Sequence, residues 1–67
     1  MTLRNLLDVI PAAETIAIYS EGYCHFSGMK LDMDNNPVRK AHLKSYLNKE
    51  VCKIQTSRDF ILISLEK

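Results

Sequence analysis

Two cysteines and two histidines are the side chains here with the greatest capacity for metal or thiol chemistry: Cys24, His25, His42 and Cys52. Structural zinc sites usually supply their ligands in close pairs such as Cys-x₂₋₄-Cys. Cys24 and His25 are instead adjacent on a predicted strand, where successive side chains point to opposite faces. The register predicted for the two hairpins turns both cysteines inward, where a thiol behaves as a small hydrophobic group. We therefore expect no metal, no cofactor and no nucleophilic cysteine. A Cys24–Cys52 disulfide would require their strands to lie close together, and a reducing cytoplasm disfavours it.

An acidic segment, Asp32-x-Asp34-x-Asn36, resembles the start of a calcium-binding loop. Such a loop needs glycine at its sixth position and a bidentate glutamate at its twelfth. This chain has Pro37 and Leu43 there, so we interpret the aspartates as charges that complement the positive end of the following helix. The sequence also lacks the signatures of a phosphate loop, a carboxylate pair or a nucleophile elbow. We predict that the protein is not an enzyme.

A basic stretch runs along and beyond the predicted second helix. It suggests an alternative function as a nucleic-acid-binding accessory protein, which would use Arg39, Lys40, Lys44 and Lys53. Nucleic-acid-binding domains are usually strongly basic, whereas the net charge of this chain is +1. We therefore favour a solvated helix face over a phosphate-binding surface.

The first predicted element is an amphipathic helix. Its apolar side chains recur at helical spacing, at Leu3, Leu6, Leu7 and Ile10, which indicates one buried face. Thr2 is suited to cap the start of this helix. Pro11 predicts its end, because the residue before a proline is disfavoured in the α region.

A second helix is predicted over residues 38–47. Asn36 and Pro37 supply its N-cap and first position, the usual places for these residue types. Asn48 is a suitable stop. Residues 29–36, which precede the helix, are expected to form a polar connection.

Residues 15–28 predict a hairpin that turns at Ser20, Glu21 and Gly22. A two-residue loop would mix polar and apolar side chains on each face. A three-residue loop with a left-handed Gly22 buries one consistent face, which is what usually sets register. The inner face is then Ile16, Ile18, Cys24 and Phe26, and the outer face is Ala17, Tyr19, Tyr23 and His25.

Residues 51–65 predict a second hairpin with an even loop around Ser57 and Arg58. This loop pairs Ile54 with Ile61 and Cys52 with Ile63. Its inner face is Cys52, Ile54, Ile61, Ile63 and Leu65, and its outer face is Lys53, Gln55, Phe60 and Leu62. The final run, from Phe60 to Leu65, is apolar on both faces, which predicts a central strand. We place the first strand beside it.

The element order is therefore α-β-β-α-β-β. It predicts one α+β domain over residues 1–67, a four-stranded, mainly antiparallel sheet with two helices packed on one face. A chain of 67 residues with 46% hydrophobic and 25% charged residues suits a small globular domain. The sequence shows no signal peptide and no apolar run of about 20 residues. We expect a cytoplasmic protein without a membrane partner.

The outer face of the sheet carries the main functional prediction. Five of its side chains would form an exposed aromatic and aliphatic patch: Tyr19, Tyr23, His25, Phe60 and Leu62. Large exposed apolar patches mark interaction sites, and aromatic residues are enriched at interface cores. We predict a protein–protein interaction module, either a homodimer or a subunit that docks another protein. A helix that crosses over, or a sheet that curls, would cover the patch instead.

The segment Leu3–Pro11, followed by a hairpin with a glycine turn, a short helix and a terminal apolar strand, resembles a group of small uncharacterised bacterial proteins often encoded near prophages and mobile elements. The resemblance covers most of the chain. It implies a small accessory protein that binds and modulates a host or phage factor, and it supplies no catalytic residues. An inhibitor of a host enzyme is a further alternative, which the sequence does not separate from an interaction module.

Overall fold

The computed structural model describes residues 1–66, and in that range it contains three helices and four strands. They are α1 (Leu3–Val9), β1 (Thr15–Ser20), β2 (Tyr23–Met29), α2 (Lys30–Asn35), α3 (Pro37–Lys44), β3 (Val51–Thr56) and β4 (Ile61–Leu65). The sheet order is β2-β1-β4-β3. Both hairpins are antiparallel, and β1 pairs with β4 in parallel. The predicted α+β class, the central position of β4 and its pairing with β1 are confirmed.

Helix α1 forms as predicted, because its two ends carry the expected signals. The Thr2 Oγ1 atom accepts a hydrogen bond from the Asn5 backbone N–H at 3.3 Å, and the Thr2 N–H donates to Asn5 Oδ1 at 3.2 Å. This reciprocal capping box satisfies N–H groups that have no partner within the helix. The helix ends at Val9, with Ile10 extended before Pro11.

Helix α3 begins as predicted. Asn36 Oδ1 accepts hydrogen bonds from the N–H groups of Val38 and Arg39 at 3.1 and 3.2 Å, and Pro37 occupies the first turn. The predicted end at residue 47 is wrong, because the helix ends at Lys44 and residues 45–48 form turns.

The prediction of two helices with a polar connection over residues 29–36 is also wrong. Helix α2 occupies most of this segment, from Lys30 to Asn35. Its single buried side chain is Met33, which packs into the hydrophobic core. An ion pair one helical turn apart, between Lys30 Nζ and Asp34 Oδ2 at 3.6 Å, lies on the same short helix.

The predicted three-residue loop of the first hairpin is wrong. Ser20 pairs with Tyr23, so the loop consists of Glu21 and Gly22. Their φ angles are 55° and 83°, and two positive φ angles are the requirement of a type I′ turn, whose twist matches that of a hairpin. A two-residue loop is compatible with a buried inner face here, because an irregularity in β2 follows it.

A β-bulge in β2 restores the inner face after this turn. Tyr19 pairs with Cys24, but Ile18 pairs with Phe26, which leaves His25 as the extra residue. A bulge sets two residues of one strand against one of its partner. Phe26 therefore faces the core beside Ile18, while Cys24 moves to the outer face with Tyr19. The predicted inward orientation of Cys24 is wrong.

The second hairpin also differs from its predicted register. Thr56 pairs with Ile61 and Ile54 with Ile63, so the loop spans residues 57–60. A second bulge lies at Cys52, between Val51 and Lys53, and Cys52 is exposed. The two cysteines lie on opposite edge strands of the sheet, about 14 Å apart at the usual strand spacing. That separation exceeds the reach of a disulfide within one chain.

All three helices contribute to a single core on the inner face of the sheet. Its fully buried members are Leu3, Ile16, Ile18, Leu43 and Ile63. Further buried side chains from α1, α2, β2 and β4 join the same cluster. The helices therefore leave the opposite, outer face of the sheet uncovered in the part of the chain that is described. No helix within residues 1–66 has the length and apolarity needed to cross a membrane.

Candidate interaction surfaces

The outer face of the sheet contains a shallow depression of about 250 Å³, which we call the outer depression. Its lining includes Ala17, Tyr19, Ser27, Asp59 and Phe60. Ala17 is only 7% exposed although it lies on this face, whereas Phe60 is 40% exposed. A small side chain thus forms the floor, and two aromatic rings stand at its border.

Three of the five residues predicted to bind a partner lie on this face. Tyr19 and Phe60 border the outer depression, and Leu62 lies beside its floor because it pairs with Ala17. Strand alternation from Ile16 and Ile18, which are buried on the inner face, explains the outward direction of Tyr19. The spatial association of these three residues was correctly predicted.

The other two predicted residues, Tyr23 and His25, lie on the helical side, so their assignment to the outer patch is wrong. Tyr23 pairs with the buried Ser20 and borders a separate depression together with Tyr46. His25 contacts side chains of α3 and the following turn. The two-residue loop reverses the direction of both Tyr23 and His25, and the bulge then turns Phe26 inward beside Ile18.

Sequence reasoning missed several outer-face residues. Thr15, Ser27 and Asp59 line the outer depression, and Met29 extends the same face because it pairs with Thr15. Alternation along β1 could have identified Thr15. Asp59 follows from its position next to Phe60, and alternation from the inward Phe26 could have identified Ser27 and Met29.

On the helical side, His25 and His42 meet in an aromatic cluster with Tyr46. His25 Nδ1 lies 3.3 Å from His42 Nε2. The ring centroids of His25 and Tyr46 are 4.3 Å apart, and those of His42 and Tyr46 are 5.6 Å apart. The bulge of β2 supplies His25, and the last turn of α3 supplies His42. We call these three residues the histidine cluster.

The four residues of the predicted nucleic-acid surface are not brought together on one face. The Arg39 guanidinium carbon lies 5.3 Å from the centroid of the Phe26 ring, a cation–π distance. Lys40 borders a depression that also contains Asp8 and Asp34. Lys53 projects from β3 on the outer face, in register with Ser64, away from Lys44 on α3. The arrangement offers no continuous basic stripe.

The residues of the acidic segment have structural positions in and between two helices. Asp32 and Asp34 belong to α2, and Asn36 caps α3. Among residues 1–66, no group of three or more histidine, cysteine, aspartate or glutamate side chains is placed to hold a metal ion.

Comparison of the chain with protein-family models, with curated proteins and with solved structures found no match.

Proposed function

We propose that the protein is a non-enzymatic protein–protein interaction module that binds its partner through the outer face of the sheet. The outer depression is the observation that supports this proposal most directly. Its buried floor at Ala17 and its border of Tyr19 and Phe60 offer a place for one apolar side chain of a partner. Aromatic residues around such pockets are typical of interface cores.

A second copy of the chain is the partner we propose. Both signs of charge occur on this face, with Lys53 on β3 and Asp59 beside the outer depression. A twofold interface must be self-complementary, because the same surface of both copies takes part and a charge on one copy has to face the opposite charge on the other. Four strands span roughly 20 Å at the usual spacing. A face of that width suits an interface at the smaller end of the range, about 600–800 Å² per partner.

The proposed cytoplasmic location is compatible with this arrangement. Cys24 and Cys52 are free and exposed, and a reducing compartment keeps such thiols unpaired. The resemblance to proteins encoded near prophages supplies the alternative partner, a host or phage protein that occupies the same face.

The test is the solution mass measured by light scattering after size-exclusion chromatography. We expect the wild-type chain to have twice the mass of one chain and Phe60→Asp to be monomeric, because a buried carboxylate at the interface is costly. Val38→Asp is the matched control. Val38 is 78% exposed on α3, away from the outer face, and its variant should keep the wild-type mass.

Two results would count against the proposal. A wild-type chain that stays monomeric at high concentration excludes the second copy as partner. Proteins from a host lysate that bind wild-type and Phe60→Asp chains equally well would exclude the outer face as the binding surface.

A further inference from the structure

The histidine cluster is independent of the outer face and has a geometry of its own. His25 Nδ1 and His42 Nε2 are 3.3 Å apart, which is longer than most hydrogen bonds that involve nitrogen donors. His25 and His42 are the two histidines of the sequence. Sequence spacing gave no reason to pair them, because residues 25 and 42 lie on different elements.

The separation of these nitrogen atoms matches that of two ligands on one tetrahedral metal ion. Zinc–imidazole bonds are about 2.0–2.1 Å long, and two of them at the tetrahedral angle of about 109° hold their nitrogen atoms roughly 3.3–3.4 Å apart. A square-planar ion such as Cu²⁺, with angles of about 90°, would require roughly 2.8 Å. The observed 3.3 Å agrees with the tetrahedral value.

We propose that His25 Nδ1 and His42 Nε2 form a binding site for a tetrahedral divalent metal ion, Zn²⁺ being the ion that fits. The remaining two coordination positions are filled by water or by a donor atom of another molecule. The described residues supply no third protein ligand.

Tyr46 keeps the two imidazole rings in place. Its ring packs against His25 at 4.3 Å and is itself half-buried against the hydrophobic core. A ligand ring held by a packed neighbour loses less rotational freedom when it binds a metal. The two-residue loop of the first hairpin is equally necessary, because it places Tyr23 and, by alternation, His25 on the helical side of the sheet.

Solvent reaches both rings, because His42 is exposed and His25 is half-buried. His25 and Tyr46 also border an open depression of about 390 Å³. The charged groups on its rim are Glu21 and Lys49, one of each sign, so their net effect on an incoming cation is small.

Binding requires both facing nitrogen atoms to present lone pairs. In the neutral pair one of them carries the shared hydrogen and donates it to the other. That proton moves through solvent to the second nitrogen of the same ring when the metal binds. Each bound imidazole is neutral with one N–H, any ring that starts as imidazolium gives its extra proton to solvent, and the exchange involves no redox step.

The experiment is a titration of the full chain with zinc chloride, followed by the NMR signals of the two imidazole rings. Cysteine thiolates also bind zinc, so the titration uses a Cys24→Ser, Cys52→Ser chain. We expect the NMR signals of both rings to shift together along one saturable binding curve. The stoichiometry should be one metal ion per chain, or one per two chains if two copies share the ion. His42→Gln should weaken binding by at least about tenfold, because it removes the chelate.

Lys44→Gln is the matched control. It removes another exposed polar side chain from the same turn of α3 and should leave zinc affinity within about twofold. The proposal is overturned if His42→Gln binds zinc as tightly as its parent, if the two rings respond at different zinc concentrations, or if no saturation occurs. His42 is exposed, so its substitution should not unfold the chain.

Discussion

Glu21 is expected to be the weak point of the first hairpin, and replacing it with asparagine should stabilise the protein. Its φ angle is 55° and that of Gly22 is 83°. Both residues therefore lie in the left-handed region, which is unfavourable for a residue with a Cβ atom. Asparagine tolerates this region better than glutamate does, and Asn-Gly is the preferred pair of a type I′ turn.

The magnitude follows from the isolation of the turn. A Cβ atom added at Gly22 would meet no atom within 4 Å, so the effect of a substitution there is conformational and contains no steric clash. We expect Gly22→Ala to cost about 1–2 kcal/mol, the energy of placing an L-residue in the left-handed region. Glu21→Asn should recover a part of the same energy, roughly 0.5–1 kcal/mol.

Thermal and urea denaturation followed by circular dichroism will measure both changes. For a chain of this size, 1 kcal/mol corresponds to a shift of roughly 4–8 °C in Tm. The Glu21→Asn variant is decisive, because a three-residue loop would place Glu21 at a negative φ angle, where asparagine brings no gain. A Tm equal to or below that of the wild type would refute the two-residue turn. The position of His25, which depends on that turn, would then be refuted as well.

Two further predictions concern the helices. Thr2→Ala removes the Oγ1 atom that accepts the Asn5 N–H and should cost about 1 kcal/mol, whereas Thr2→Ser should stay near wild type; equal urea midpoints for the two variants would contradict the capping role. Leu43→Ala empties a site that is 2% exposed and should cost about 2–5 kcal/mol. Val38→Ala, on the exposed face of the same helix, should cost no more than about 0.5 kcal/mol, and similar losses for both would place Leu43 outside the core.

The parts of the fold that were correctly predicted depend on signals carried by single residues or by strong periodicity. Thr2 and Asn36 act as caps because their side chains reach the first free N–H groups of a helix. The apolar run at Ile61–Leu65 identified a central strand, since such a composition is typical of strands with a neighbouring strand on each side. These features need no knowledge of distant contacts.

The failures in the strands have two causes, the wrongly predicted length of each hairpin loop and the assumption of unbroken alternation along β2 and β3. One extra residue at His25 and another at Cys52 change the face of the side chains on one side of each bulge. No local residue preference marks either position. Helix α2 was missed for a different reason: it is one short segment with a single buried side chain, Met33, so it shows no helical period.

The candidate sites divide in the same way. Tyr19, Phe60 and Leu62 share the outer face because β1 and β4 lie side by side with intact alternation. The histidine cluster depends on the two-residue loop before β2 and on the packing of α3 over that strand. Tertiary contacts of that kind follow from the assembled fold and could not be derived from the spacing of residues 25 and 42.

The parallel contact between β1 and β4 has a consequence for how the chain folds. Each hairpin is local and can form early. Strand β1, however, gains its second neighbouring strand only when residues 61–65 pair with it. Pairing of segments so distant in sequence is slow, because loop-closure entropy is lost before the contacts form. Until β4 inserts, one edge of β1 is open and the core lacks Ile63 and Leu65. The two hairpins are therefore interdependent, and β4, which follows the other three strands along the sequence, completes the centre of the sheet.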